Sequence, residues 1–381
     1  MARKVRLALA GLGSVSQRGI LPHLAEPDAR EHVELVACCD VVEERAKETA
    51  RVFGWQRAYG DYDEMLRNED VEAVLIATPI PAHYQQSMTA LEAGRHVYVQ
   101  KTMTTTLTEA NDVVDLARRK NVKLVASPGQ MLNDRNQQIK QLIEDGALGK
   151  VYWAFTTNAG GGHENESFRA RDDVLSNVDP TWYYKKGGGP VYDMTVYSLH
   201  TITGILGSVK KVTALSGIGL KRRTWKDKVI DVEMDDNTLM LLDFGDATFA
   251  VAGGQNARVS PGIGWGRLGI FGTAGTIDEG GSVGGMELTG DFLPPVLGQP
   301  LPRVVLPARG WAGLQWVTGR HQSIQEAHVY NDIMHLVECI RDDKRPVPTG
   351  EHARHVVEVI EKAYRAAETG QAQTLETTVD G

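Results

Sequence analysis

The sequence predicts an α/β protein: an N-terminal Rossmann domain with a doubly wound parallel sheet, then a C-terminal α+β domain with a large open, mostly antiparallel sheet. Three observations predict it. A strand, glycine turn, helix and second strand span Val5 to Asp40 and close on an acid. Apolar runs then alternate with helical segments of about 10–15 residues as far as Ala126. Beyond Leu132 the pattern changes to apolar–polar alternation of period two. The expected division is 1–128 and 129–381, with the final helix, 351–369, placed where it can pack back on the first domain.

Val5–Ala10 is nearly all apolar, as in a strand covered on both faces. Gly11-Leu12-Gly13-Ser14-Val15-Ser16 follows the dinucleotide-binding pattern, with serine at its third small position. Gly11 permits the tight turn, Gly13 lets the backbone approach a pyrophosphate, and Ser16 keeps helix and strand close. A glycine triplet alone is weak, but this one follows a strand, opens a helix and leads to a second apolar strand, Val33–Cys39. Asp40 ends that strand, where a carboxylate accepts both ribose hydroxyls of NAD and repels a 2′-phosphate. Val41 and Val42 follow rather than an arginine, so NAD is expected over NADP. The distance from turn to acid exceeds the usual about 20 residues, which the extra segment Leu21–His32 explains.

Glu43–Phe53 has helical spacing and Gly54 stops it; Asp61 caps a short helix. Strand Val71–Ala77 runs into Thr78-Pro79, and helix Ala82–Ala93 ends at Gly94. Strand His96–Val99 leads to Gln100-Lys101-Thr102, followed by helix Thr108–Lys120 and strand Val122–Ala126. Ligands of such sheets bind beyond the strand C-termini, which puts Ser14, Asp40, Thr78, Lys101 and Pro128 at the crevice. In the second half, helix Asn136–Asp145 precedes strands Val151–Thr157, Lys211–Gly217, Asn237–Phe244, Ala247–Ala252 and Arg267–Phe271. Helix Thr195–Leu206 covers one face, and the other calls for a partner subunit, so a homodimer or homotetramer is expected. Gly280–Arg309 reads as a loop, and helices Gln322–Arg341 and Glu351–Thr369 close the chain.

The 381 residues, 42% hydrophobic and 24% charged, suit a globular protein of two or three domains. A net charge of −8 argues against nucleic acid or an anionic membrane surface as partner. No run of about 18 apolar residues occurs, and MARKVRL lacks the apolar core of a signal peptide. Cys38, Cys39 and Cys339 form no C-x-x-C spacing and read as buried free thiols, consistent with a cytoplasmic location. The eleven histidines show no H-x-x-x-H or H-E-x-x-H spacing, so no metal is expected; His352 and His355 are expected on the surface.

Two stretches concentrate chemistry. Lys101 stands where strand His96–Val99 opens on the crevice, able either to exchange a proton with a hydroxyl or to neutralise a phosphate. After Gly187-Gly188-Gly189, Asp193, Tyr197 and His200 fall four and three residues apart, on one helical face. They read either as a proton relay or as a capping Asp with a core Tyr and a satisfied His. Gly160-Gly161-Gly162-His163-Glu164, with Arg169 and Arg171, is a loop that forms either substrate wall or solvent-facing surface.

Taken together, GLGSVS, VLIATPIPAH, GRHVYVQKT, GGGPVYDMTVYSLH and PVPTGEHARHVVEVIEKAYRAAETG resemble the Gfo/Idh/MocA oxidoreductases over nearly the whole chain. The resemblance implies NAD(P) in a cleft between the domains and oligomerisation through the open sheet. The family's Glu-Lys-Pro is here Gln100-Lys101-Thr102, and Tyr197 replaces the histidine that follows the signature aspartate, as in the glucose–fructose oxidoreductase branch. By carry-over Lys101 is the base or acid, Tyr197 a donor or relay, Asp193 the residue that fixes the hydroxyl, and His200 a further substrate contact. Thr78, Pro79, His83 and Gln100 are implied cofactor contacts, and Trp182 matches a family position that often lies near nicotinamide. The expected function is NAD-dependent oxidation of a secondary hydroxyl of a sugar, cyclitol or glycoside. The alternatives are an NAD-retaining glycoside hydrolase working by transient oxidation, and a non-catalytic sensor of NAD and sugar.

Overall fold

The computed structural model describes residues 3–256, 265–279, 288–291, 303–306 and 313–380. Six strands form the first sheet: β1 (Val5–Ala10), β2 (Val33–Cys39), β3 (Arg57–Tyr59), β4 (Ala73–Ile76), β5 (His96–Val99) and β6 (Leu124–Ala126). They run parallel in the order β3-β2-β1-β4-β5-β6. The order reverses between β1 and β4, so the crevice opens beyond their C-terminal ends. The extra segment before β2 is two short helices, Leu21–Ala25 and Pro27–His32, with Pro27 at the first helical position of the second. Edge strand β3 was not legible in the sequence: three residues are too few to show alternation.

Helices cover both faces of this sheet. Tyr62–Asn68, His83–Glu92 and Leu107–Lys120 pack one face, joined by Ala353 and Val357 of the last helix, Gly350–Thr369. The other face receives the helix Ala327–Asp342 through Val329, Ile333, Leu336 and Val337. Both closing helices therefore pack on the first sheet, whereas the sequence reading placed only the last one there. The chain after Ala126 turns through Ser127, Pro128 and Gly129, where Asp332 of helix Ala327–Asp342 accepts from Ser127 Oγ and Gly129 N–H, each at 3.0 Å.

The second sheet contains β7 (Val151–Ala159), β8 (Lys211–Gly217), β11 (Asn237–Gly245), β12 (Thr248–Gln255), β13 (Trp265–Gly272), β14 (Thr276–Glu279) and β17 (Gln373–Thr374). Their order is β14-β13-β7-β12-β11-β8-β17, antiparallel except for β7 beside β12. A separate hairpin pairs β9 (Arg222–Trp225) with β10 (Lys228–Asp231). The expected Gly280–Arg309 loop lies outside the described residues except for β15 (Leu288–Asp291) and β16 (Arg303–Leu306), which pair antiparallel.

One face of this sheet is core. Met240, Leu242, Ala250, Ala252 and Ile270 meet Leu199, Ile202 and Ile205 of helix Val196–Leu206 and Val356, Val359 and Ile360 of Gly350–Thr369. The other face is apolar too. Leu239 and Leu241 alternate with buried Met240 and Leu242 on β11, and Leu215, Phe249 and Trp153 stand beside them on neighbouring strands. Leu215 is 77% exposed and Leu241 57%. His352 and His355, expected on the surface, are buried between the last helix and its neighbours: His352 Nε2 is 2.7 Å from Thr203 Oγ1, and His355 Nε2 accepts from Val209 N at 3.0 Å. Their three-residue spacing marks the inner stripe of this helix. Among the described residues no helix is long and apolar enough to cross a membrane.

Candidate active site

A cleft of about 1550 Å³ lies between the two sheets and is lined by both halves of the chain. At its cofactor end, Gly11 has φ +87°, and a Cβ there would stand 2.5 Å from Ala77 C and Thr78 N. Only glycine lets the turn after β1 press against the end of β4. Gly13 faces open cleft: a Cβ would meet only Val178, at 3.7 Å. Ser16 Oγ donates to Gly11 O at 2.6 Å and ties the helix to the turn. Ser14 and Val15 also line the cleft.

Asp40 is buried at the end of β2. Its Oδ2 accepts from Leu12 N at 3.0 Å, and its Oδ1 accepts from Val42 N at 2.9 Å and Arg45 Nη1 at 3.0 Å. A carboxylate offers about four acceptor sites, so capacity remains for a ribose hydroxyl. Arg45, one helical turn beyond the acid, also donates from Nε to Val174 O and from Nη2 to Asn177 O, each at 3.0 Å. Its fork is occupied by Asp40 and by the other domain's backbone. An open glycine turn and a buried acid fit NAD.

Thr78, Pro79, Gln100 and Trp182 line the same cleft. Gln100 donates from Nε2 to Tyr98 Oη at 2.9 Å and accepts the Lys101 N–H at 3.1 Å. His83 does not reach the cleft and is corrected to a strut. It is 0% exposed, with Nδ1 2.8 Å from Thr102 O and Nε2 2.8 Å from Thr78 O, so it braces the two loops that hold Thr78 and Lys101. Its position at the start of helix His83–Glu92 points it inward between those carbonyls.

The second half of the cleft gathers titratable groups. Lys101 Nζ donates to Asp193 Oδ1 at 2.6 Å and stands 5.6 Å from the Tyr197 ring centre. His163 Nε2 lies 3.0 Å from Asp193 Oδ2, and its Nδ1 lies 2.5 Å from Glu166 Oε1. Glu166 in turn accepts from Arg169 Nε at 2.7 Å and from Ser14 Oγ at 3.2 Å, which carries the chain of contacts back to the glycine turn. Burial acts to raise the Asp193 pKa, but the Lys101 ammonium and His163 hold it well below the carboxylate range. Burial acts to lower His163, and Asp193 and Glu166 outweigh it and raise the imidazole above its ordinary value. Tyr197 Oη lies 2.9 Å from His328 Nε2, and burial, then Glu326 and Asp193, push the phenol well above its usual pKa.

Asp193 sits in a π-helical turn, Val191–Thr195, that opens the helix Val196–Leu206. Asp193, Tyr197 and Thr201 face the cleft; His200 does not and is corrected to a packing residue. Its ring lies 4.7 Å from that of His352, and burial drives its pKa well below 6.5, so it stays neutral between the two helices. In the regular helix that follows the wide turn, the cleft face continues at i+4 from Tyr197 to Thr201 rather than at i+3 to His200. His163, Glu166, Arg45 and His328 were the residues that pattern reading missed or left as loop. The glycine run at 160–162 was the one local signal. Among the described residues, no cluster of His, Cys, Asp or Glu suits a metal ion.

Residues 5–127 match the oxidoreductase family with an NAD-binding Rossmann fold, and residues 136–278 match the GFO/IDH/MocA C-terminal domain. The chain belongs to the Gfo/Idh/MocA oxidoreductases. It is an NAD-dependent oxidoreductase of that family. One similar protein is a dTDP-3,4-didehydro-2,6-dideoxy-alpha-D-glucose 3-reductase of Streptomyces violaceoruber, 27% identical over 80% of this chain and 78% of that one. Another is a D-apiose dehydrogenase of Paraburkholderia graminis, 24% identical over 98% of this chain and 91% of that one. The fold matches a levoglucosan dehydrogenase solved with NADH and levoglucosan at TM-score 0.78 and 18% identity, over 98% of this chain and 100% of that one.

Proposed function

We propose that this Gfo/Idh/MocA protein is a dehydrogenase that oxidises a secondary hydroxyl of a sugar, cyclitol or glycoside. One observation carries the reading: Lys101 Nζ, 2.6 Å from Asp193, shares one cleft with the glycine turn and Asp40. Gly13, Ser14, Val15 and Asp40 hold NAD, with Thr78, Pro79, Gln100 and Trp182 along its path. NAD, when bound, supplies the hydride acceptor. After giving up one proton to solvent, Lys101 Nζ as the neutral amine accepts the hydroxyl proton and returns to the ammonium, and Asp193 Oδ1 fixes where Nζ stands. Tyr197 keeps its own proton, because burial opposes the phenolate, and donates to the substrate oxygen. Relatives named for D-apiose, levoglucosan and a dTDP-linked deoxysugar support a carbohydrate substrate.

The partner implied by the exposed apolar strand face is a second copy of the chain, giving a homodimer or homotetramer. Activity is tested with purified protein, NAD and a panel of free sugars, cyclitols and aryl glycosides, followed for NADH absorbance and for released aglycone. NADH without release is the expected result. Release without net NADH means the redox-recycling hydrolase instead. Lys101→Ala must abolish whichever signal appears, and full activity in that variant rejects the assignment.

A further inference from the structure

The loop from Gly160 to Glu166 brings a histidine onto the central carboxylate from outside the helix that carries it. His163 Nε2 is 3.0 Å from Asp193 Oδ2, on the oxygen that Lys101 leaves free. The other ring nitrogen, Nδ1, is 2.5 Å from Glu166 Oε1. An ionised carboxylate only accepts, so both ring nitrogens must donate, and the ring that satisfies both is the imidazolium. The remaining neighbours are uncharged aromatics: the Tyr183 ring lies 4.3 Å away, edge-on, and the Trp182 ring 6.3 Å away. The nearest other cations, Lys101 and Arg169, meet the same two carboxylates rather than the ring.

Glu166 extends the connection. Its second oxygen accepts from Ser14 Oγ at the glycine turn, 3.2 Å away, and from Arg169. One side-chain chain thus runs from Lys101 through Asp193, His163 and Glu166 to Ser14. It joins the group beside the reacting hydroxyl to the turn beside the cofactor.

We propose that His163 is a positioning residue of this site: as an imidazolium it clamps Asp193 to Glu166, holds the Asp193 carboxylate square to Lys101, and latches the 160–166 loop across the cleft. The inference rests on the proposed dehydrogenase reading for its kinetic consequence, but its protonation state does not depend on that reading. His163 has its proton affinity raised by Asp193 and Glu166 against the opposing effect of burial. The latch is therefore complete below pH 6.5, the ordinary histidine value, and is lost as pH rises through the raised folded value. This opposes the usual trend of alcohol oxidation, which releases a proton and gains from alkali.

The first measurement is nitrogen-15 NMR of the imidazole rings in the unliganded full-length protein, with His163→Gln assigning the resonance. The expected result is a doubly protonated ring at pH 7 whose titration midpoint falls in both Asp193→Asn and Glu166→Gln. A neutral ring at pH 7, or a midpoint unmoved by either variant, overturns the proposal. The second measurement is kcat/KM against pH on the substrate the panel yields. His163→Gln should lower it about tenfold at pH 7, the scale of one charge-assisted hydrogen bond, and should abolish the alkaline fall expected of wild type. An equal loss at every pH indicates a merely structural residue and overturns the positioning role. A Lys101→Ala variant that stays active rejects the dehydrogenase mechanism while leaving the NMR result standing, so the two failures are separable.

Discussion

Asp193 carries two donors on one carboxylate, and that arrangement governs how the site responds to acid. Its folded pKa is depressed, so its contribution to stability is complete above the ordinary value of 3.8 and is lost only as pH falls through the much lower folded value. Once His163 is protonated in both proteins, the melting-temperature deficit of Asp193→Asn is therefore expected to stay constant down to about pH 4 and to close only in stronger acid. Thermal scans at a series of pH values check this. In catalysis, Lys101→Met should cut kcat/KM by about 10²–10⁴-fold, the usual worth of a positioned proton acceptor, with NAD binding by tryptophan quenching retained. That Lys101, Asp193 and Tyr197 share one cleft could be anticipated because each stands at a position fixed locally, a strand end or an i+4 helical step. His163 was not, because it precedes Asp193 by thirty residues and reaches it only through the fold. His83 and His200 were misassigned for the converse reason: their local spacing was right, but burial turned each ring onto partners that sequence does not display.

At the level of elements, helix Ala327–Asp342 packs on the first sheet and buries Asp332 beneath the Ser127–Gly129 turn. Burial pushes that carboxyl up to about 7, although Gly129 N–H and Ser127 Oγ favour its ionised form. A carboxyl raised this way supports the fold fully below the unfolded value of 3.8 and withdraws that support as pH climbs toward 7. Wild type is thus expected to lose thermal stability relative to Asp332→Asn between about pH 4 and pH 7, with no further divergence above; paired melting curves decide it. Helix limits were readable where end chemistry is local. Gly54 and Gly370 end helices at φ 71° and 68°, and Asp61 accepts the Glu64 N–H at 2.7 Å. The hairpin β9–β10 and the two-residue β17 were not, since short exposed strands are held by neighbours rather than by their own alternation.

On the scale of the molecule, the second sheet presents Leu215, Leu239, Leu241, Phe249 and Trp153 on the side away from the helices. A one-sided antiparallel sheet normally shows polar residues there, and the apolar alternation on β11 supports the proposed partner subunit. Leu239→Glu with Leu241→Glu is expected to shift the protein to monomer in size-exclusion chromatography with light scattering, while its far-ultraviolet circular dichroism stays unchanged. Arg45 bears on a different property of the whole. Because it fastens Asp40 to the carbonyls of Val174 and Asn177, the Asp40 end of the cleft is walled by a segment that comes from the opposite domain. Holding a nucleotide there draws on contacts from both domains at once, so the fastening tunes how tightly NAD is held between turnovers. Arg45→Ala is expected to bind NAD more weakly than wild type while its fold is kept, as titration by tryptophan quenching and far-ultraviolet circular dichroism will report.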